Sequence, residues 1–375
     1  MPHHNEHFWW RFFPHKELTQ VYISSAIRSF AISLIGLFIP LYLYVERGFS
    51  LQQTLYFFIF YAAIFAISTP FAAKFAAQAG LKHSVLLGVP FYLVFVLLLY
   101  FLPVLNTPLF VIAGMLGLSQ AFYWMGMHLV FAHVSDHKHR GEEFGKRKFF
   151  TIIATMFGPL LGGLLIKFVG FNIVFILASL LLFLSAFFLF LSKEDYVKYH
   201  FSLRSMLDKK HWENSLFFVA RGTHVIAAGV IWPLFIFNIL NDYFSLGLVG
   251  FLLSAISAGL VLFVGKYSDH IDKRKIIRWI AGFESLSWIL RALVVKVWHV
   301  FAVTIFGALT FGIFESPVGA LEYDKARGHA APYFVSREVF ICLGRILLLV
   351  FVLMIDNLAG GLILNGFANL AVLLF

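Results

Sequence analysis

The chain has 375 residues, of which 61% are hydrophobic and only 13% charged, against about 25% charged in an ordinary soluble domain. A soluble fold cannot hide that much apolar surface, so part of the solvent must be lipid. This excludes a cytosolic enzyme, a disordered chain and a nucleic-acid-binding domain, and the net charge of +10 needs another explanation. The one cysteine, Cys342, excludes a disulfide framework and a cysteine metal site.

Residues 1–17 are polar and aromatic and show no cleavable signal peptide. Apolar runs then follow at about 18–45, 51–74, 83–102, 107–134, 148–169 and 171–192. A second set follows at about 213–240, 244–265, 276–296, 299–324, 336–356 and 357–375. Each run is continuous and near the roughly 20 residues a helix needs to cross a bilayer, which predicts an all-α chain of twelve transmembrane helices and not a barrel. Lys193–Trp212 is the longest polar stretch. It divides the chain into an N-terminal six-helix bundle (1–192), a linker (193–212) and a C-terminal six-helix bundle (213–375). The run ending at Phe375 is barely long enough to cross, so it is expected to be incomplete or to end flush with the membrane.

Lysine and arginine set the orientation. With the N-terminus inside, only Arg47, Lys167 and Lys296 face out, and Arg28, Arg221, Arg291 and Arg345 lie within spans. The rest of the 29 fall on the inside segments. This predicts a multi-pass plasma (inner) membrane protein with both termini cytoplasmic, and it accounts for the basic excess without nucleic acid.

The halves are also related in sequence. Arg28, Gly36 and Pro40 of span 1 recur as Arg221, Gly229 and Pro233 of span 7 at one constant offset, with Leu41-Tyr42-Leu43-Tyr44 matched by Leu234-Phe235-Ile236-Phe237. A six-helix unit duplicated in the same orientation places a pseudo-two-fold axis along the membrane normal and a site between the halves.

The loop after span 8 reads Gly265-Lys-Tyr-Ser-Asp269-His-Ile-Asp-Lys273-Arg274-Lys275. A carboxylate at such a helix end can cap a neighbouring helix while the adjacent cations pair across the halves. With the twelve-span layout, it resembles the loop signature of the major facilitator superfamily of secondary transporters, with His270 and Asp272 in place of an arginine and a glycine. The matching first-half loop keeps Gly80 and Lys82 but has Ala77 where the acid belongs. The resemblance covers the whole chain. It implies two pseudo-symmetric bundles that rock around a central cavity, with Gly265, Asp269, Lys273 and Arg274 as a gating latch. Span 5 carries Gly145, Ala154 and Gly158-Pro159-Leu-Leu-Gly162-Gly163, which resembles the drug/proton antiporter motif; Gly158, Pro159, Gly162 and Gly163 are then expected to serve in gating. Span 4, Gly117 to Gly126, lacks the arginine of those antiporters.

Charges within spans are costly unless paired or hydrated, so they mark substrate or ion sites. Arg28 and Arg221 are repeat mates at similar depth. Similarly placed arginines clamp phosphate in members of the superfamily; internal pairing with an acid is the alternative. Ser25, Ser29, Ser33 and Gly36 lie near Arg28, and His224, Ala228 and Trp232 continue the Arg221 face. Glu315 of span 10 is the candidate proton-coupling residue, or else an ion-pair partner of Arg28 or Arg221. Trp124 and His128 share a face of span 4 with Gln120 and are candidate substrate contacts or core packing. Glu284 and Arg291 of span 9 are two turns apart and read as structural, and Arg345 has no evident mate. His133, Asp136, His137 and His139 read as a solvated loop. No phosphate-cradling loop, catalytic constellation or metal site stands out, so neither an enzyme nor a cofactor is expected.

These expectations point to a secondary transporter that moves a small molecule through the lipid bilayer, acting as a monomer with protons as coupling ion. Proton-coupled efflux of an amphipathic compound leads. Exchange or symport of an organic anion (a phosphate ester or carboxylate) and lipid flipping are the alternatives.

Overall fold

The computed structural model describes residues 16–134, 140–190, 212–268 and 270–375. Twelve helical rods fill it, with no strand among the described residues. The first six are α1 (Lys16–Gly36, carried on by Ile39–Leu41 and a π-helical turn, Tyr42–Glu46), α2 (Leu51–Ala79), α3 (Leu81–Tyr100), α4 (Leu109–Val134), α5 (Arg140–Val169) and α6 (Phe171–Phe190). The second six are α7 (Trp212–Ile226, a π-helical turn at Ala227–Ile231, then Trp232–Leu240), α8 (Tyr243–Tyr267), α9 (Lys273–Ala292), α10 (Val297–Lys325), α11 (Ala330–Ile355) and α12 (Leu358–Asn369, ending in a 3₁₀ turn, Leu370–Leu374). Among the described residues, nine of these are long and apolar enough to cross a membrane. α6 and α12 are apolar but shorter, and α9 is the polar member, with Arg278, Glu284 and Arg291 along it.

Local chemistry fixes where the rods start. Ser50 accepts from the Gln53 amide at 3.1 Å while Gln53 accepts from the Ser50 amide at 2.9 Å, a capping box that opens α2. Asp242, Asp272 and Asn357 cap α8, α9 and α12 in the same sense. Between α2 and α3, Gly80 sits at φ +113°, where a side chain would be strained. In α7, Pro233 has no amide hydrogen and its ring crowds the carbonyl of Gly229, one turn back. The chain takes a π-helical turn just before it, which relieves the crowding at the price of a local bulge.

Packing repeats from one half to the other. α1 lies on α5 as α7 lies on α11; α2 on α4 as α8 on α10; α3 on α4 and α6 as α9 on α10 and α12. The halves meet along α5–α8 and α2–α11, which are themselves pseudo-symmetry mates. Small residues permit that approach. A β-carbon on Gly158 or Gly162 of α5 would strike Ser33 or the Leu34 carbonyl of α1. One on Gly163 would strike the Tyr243 carbonyl, and Gly247 of α8 abuts the Pro159 carbonyl in the same way. At the opposite end of α5, a β-carbon on Gly145 would lie 3.3 Å from the Gly265 Cα. The Gly-Pro-Leu-Leu-Gly-Gly segment is thus consumed in packing three helices together. Large side chains such as Phe71, Phe168, Leu180 and Phe183 point outward, as a lipid-facing belt requires.

Candidate functional site

Side chains from both six-helix halves converge between the bundles. There a cavity of about 400 Å³ opens between the halves, lined from α1, α2, α3, α4 and α5 on one side and α7, α10 and α11 on the other. A side arm of about 310 Å³ continues it between α1, α4 and α5, sharing Ile32, Gly36, Gln120, Trp124 and Lys148 with the main chamber.

Arg28 lies in the side arm with Ser25, Ser29, Ser33, Thr151 and Thr155. It is 4% exposed. Its guanidinium rests on the Tyr123 ring, 3.3 Å from the centroid, with the Tyr92 ring at 5.8 Å. Among the described residues no carboxylate comes within ion-pair distance, and Nε and one terminal nitrogen have no hydrogen-bond partner. A buried guanidinium without a counter-charge is held at considerable cost, which a cation–π seat of about 1–2 kcal/mol only partly offsets.

Its repeat mate differs. Arg221 ion-pairs with Glu315, which also accepts from Lys148 Nζ of α5 at 2.6 Å. Glu315 is buried, so its charge is matched by one cation from each half; the second terminal nitrogen of Arg221 stays without a partner among the described residues. Of the two pairings open to Glu315, the structure has the one with Arg221.

A second cross-half tie lies nearer the start of α11. His128 of α4 meets the Tyr323 hydroxyl of α10 at 2.7 Å through Nδ1 and Glu338 of α11 at 3.1 Å through Nε2, and its ring stacks on Phe334. Arg337 pairs with Glu322 at 2.7 Å and with Glu338. Trp124 donates to Gln120 at 2.9 Å beside it, and both line the cavity. Arg345 donates to the Tyr61 hydroxyl of α2 at 2.9 Å, which supplies the mate the sequence left open.

The remaining expectations fall elsewhere. His224 does not continue the Arg221 face: Arg221, Val225 and Gly229 line the central cavity, whereas His224, Ala228 and Trp232 line a separate chamber on the other side of α7. Residues three apart on a helix are about 60° round from one another, enough to put them on opposite sides of a one-helix wall. Lys273 pairs with Asp324 of α10 at 3.1 Å within the C-terminal half, and the Arg274 amide donates to the cap residue Asp272 at 3.0 Å. Gly265 is buried where α8 touches α5. Asp269, the linker residues 193–211 and Asp136, His137 and His139 lie outside the described residues. On the far face, Lys167 of α5 pairs with Asp242 at 2.9 Å.

Lys148, Arg337 and Glu338 were not singled out from the sequence. The apolar runs begin at 148 and 336, which makes these charges look like loop residues. The helices begin earlier, at Arg140 and Ala330, so the charges sit two turns inside.

The family model of the Major Facilitator Superfamily matches residues 21–349. Over 265 residues the chain is 26% identical to the uncharacterised protein YqgE of Bacillus subtilis (strain 168), a match that takes in 64% of this chain and 59% of that protein. The chain thus spans less than two thirds of that relative's length. Two crystal structures of a bacterial homologue of the iron transporter ferroportin, both outward-facing and one soaked with iron, share its fold. Their TM-scores are 0.68 and 0.67 at 13% and 12% identity, and the alignments cover 95% of this chain and 96% of each of those chains.

Proposed function

The chain belongs to the Major Facilitator Superfamily of secondary transporters, and from that premise we propose that its solute is a small organic anion bearing a phosphate or carboxylate group. One observation carries this reading: the charge of the cavity wall. Among the described residues its cations are Arg28, Lys148, Arg221, Arg337 and Arg345, and its carboxylates are Glu315, Glu322 and Glu338. Arg28 supplies part of the surplus, and it lines the side arm together with the hydroxyl groups of Ser25, Ser29, Ser33, Thr151 and Thr155. Guanidinium groups take oxyanions bidentately, and hydroxyls complete the shell around them.

This ranks the anion above the amphipathic compound. The span 5 motif that favoured efflux is accounted for by close packing of α5 on α1 and α8. The crystal structures resembling this fold are of an iron transporter's homologue, but a surplus of positive charge repels a metal cation. Among the described residues, no group of three or more His, Cys, Asp and Glu is placed to hold one. Gly265, Lys273, Arg274, Gly158, Pro159, Gly162 and Gly163 are proposed to serve the rocking of the halves, and the chain to act as a monomer at the plasma membrane.

The test is a thermal-shift screen of the purified protein in detergent. The panel sets organic phosphates and carboxylates beside hydrophobic cations and lipids, with Arg28→Gln in parallel. Stabilisation by an anion, lost in the variant, is the expected result. Stabilisation by hydrophobic compounds alone, retained in the variant, overturns the proposal.

A further inference from the structure

α7 is a wall with two chambers. Beyond it lies a second cavity of about 180 Å³, lined from α7, α8, α9 and α10, with Leu37 of α1 at its edge. Its lining is mostly apolar, yet it contains Glu284, His224 and Arg291, which are 1%, 7% and 5% exposed. Glu284 accepts from the Trp288 indole N–H at 3.0 Å and from the Thr310 hydroxyl. His224 Nδ1 faces it at 3.8 Å, too far for a hydrogen bond, and has no other hydrogen-bond partner. The imidazole is held edge-on to Trp288, with ring centroids 5.1 Å apart. Arg291 lays its guanidinium 3.9 Å above the same indole, makes no ion pair among the described residues, and leaves Nε unpartnered.

We propose that Glu284 and His224 together form a proton-binding site, separate from the substrate cavity and linked to it through α7. The pair is one proton short of a bridge. A proton taken up by Glu284 gives a neutral donor aimed at the unpartnered Nδ1, and the 3.8 Å gap closes into a hydrogen bond. Glu315, the sequence-level candidate, is poorly suited by comparison. It is gripped by Arg221 on one oxygen and Lys148 on the other, and a proton on it would remove the charge that holds both ion pairs.

The charged groups around the pair are few. Arg291 comes from its own helix, α9. Arg221 lies one turn before His224 on α7 but is turned to the other chamber and paired with Glu315 of α10. From α12 the neutral Asn369 meets the His224 side chain, and α8 contributes no charged side chain to the chamber. Loading therefore adds one positive charge to a chamber whose fixed charges are Glu284 and Arg291. The π-helical turn Ala227–Ile231 lies between the two chambers. Single-turn π bulges are frequent at functional sites, and Arg221 and His224 share the helical segment just before this one, so a proton drawing His224 toward α9 on one face displaces the segment that presents Arg221 on the other.

This inference rests on membership of a transporter family and not on the identity of the solute, so its test uses no substrate. Infrared difference spectra of the full-length protein in detergent are recorded across a pH titration in H2O and D2O. The expected result is a protonated-carboxyl C=O band that grows as pH falls and shifts in D2O. It is absent from Glu284→Gln and kept in Glu315→Gln. Thr310→Val, which removes a donor to Glu284, moves the band's frequency, and His224→Gln moves the pH at which the band appears. A wild-type protein without such a band overturns the site, as does a band that survives Glu284→Gln or vanishes with Glu315→Gln. Should Glu284→Gln not fold, an unmoved band in both Thr310→Val and His224→Gln overturns it equally.

Discussion

Arg28 and Arg221 occupy equivalent positions in two copies of one six-helix unit, yet their surroundings have diverged. In the N-terminal copy the arginine has aromatic rings for company and, among the described residues, no acid. In the C-terminal copy it is locked to Glu315. The cavity's three carboxylates, Glu315, Glu322 and Glu338, all come from the C-terminal half. The repeat carries two arginines, and among the described residues the cavity's acids stand beside only one of them. A charge with a built-in partner organises structure; a charge without one is available for binding.

Removing each arginine separates these roles, and the largest effect is expected at Arg28. Arg28→Gln should weaken anion binding by about 3 kcal/mol, more than a hundredfold in Kd, while the melting temperature without anion is unchanged or raised, because an uncompensated buried charge is gone. Isothermal titration and differential scanning fluorimetry measure the two quantities; a variant that binds normally but unfolds early would make Arg28 a structural residue. Arg221→Gln should show the reverse balance. It leaves Glu315 with Lys148 alone, and breaking a buried pair costs on the order of 3 kcal/mol of stability. A melting temperature equal to wild type would mean that the ion pair adds nothing to the fold.

A finer cut is Tyr123→Leu, which strips the ring from beneath Arg28 but leaves the guanidinium. The loss of a cation–π contact of about 1–2 kcal/mol should appear in anion affinity and also in stability. Equal affinity in this variant would remove the ring from any positioning role.

The smallest effect is expected on the far face. Burial pushes the Asp242 carboxyl up, but hydrogen bonds from Lys167 and from the amide and hydroxyl of Ser245 outweigh it and hold the group below the usual carboxylate range. With the folded-state value lowered, the stability from this contact is complete above the ordinary value of 3.8 and is lost as pH falls through the folded-state one. Asp242→Asn, which can still cap α8, should cost less than about 1 kcal/mol and flatten that acid limb of the melting-temperature profile. An unaltered limb would assign the acid sensitivity to another group.

Much of this architecture is legible in the sequence because a lipid solvent imposes continuous apolar runs and a lysine–arginine bias, both of which are local signals. The repeat too is readable, from three residues kept in register. Helix α9 is the least apolar of the twelve because it opens on Lys273, Arg274, Lys275 and Arg278 and also carries Glu284 and Arg291 inward. Partnerships across the fold are another matter. Arg345 finds Tyr61 from the opposite end of the chain, and no local pattern encodes such a pairing. The split between Arg221 and His224 depends on which side of a single helix each faces, which only the packed neighbours of α7 decide.

The lone guanidinium beside Tyr123 also makes the carrier an electrical device. Each elementary charge moved through the full membrane field is worth about 2.3 kcal/mol per 100 mV. A cavity wall with more positive than negative charge carries that excess with it whenever the empty protein reorients, whereas an anion in the cavity cancels it. On the anion reading, voltage then acts chiefly on the return of the unloaded carrier and much less on the loaded one. On that same reading the membrane potential, and not only the concentration ratio of the solute, acts on how fast the cycle turns and which way it runs.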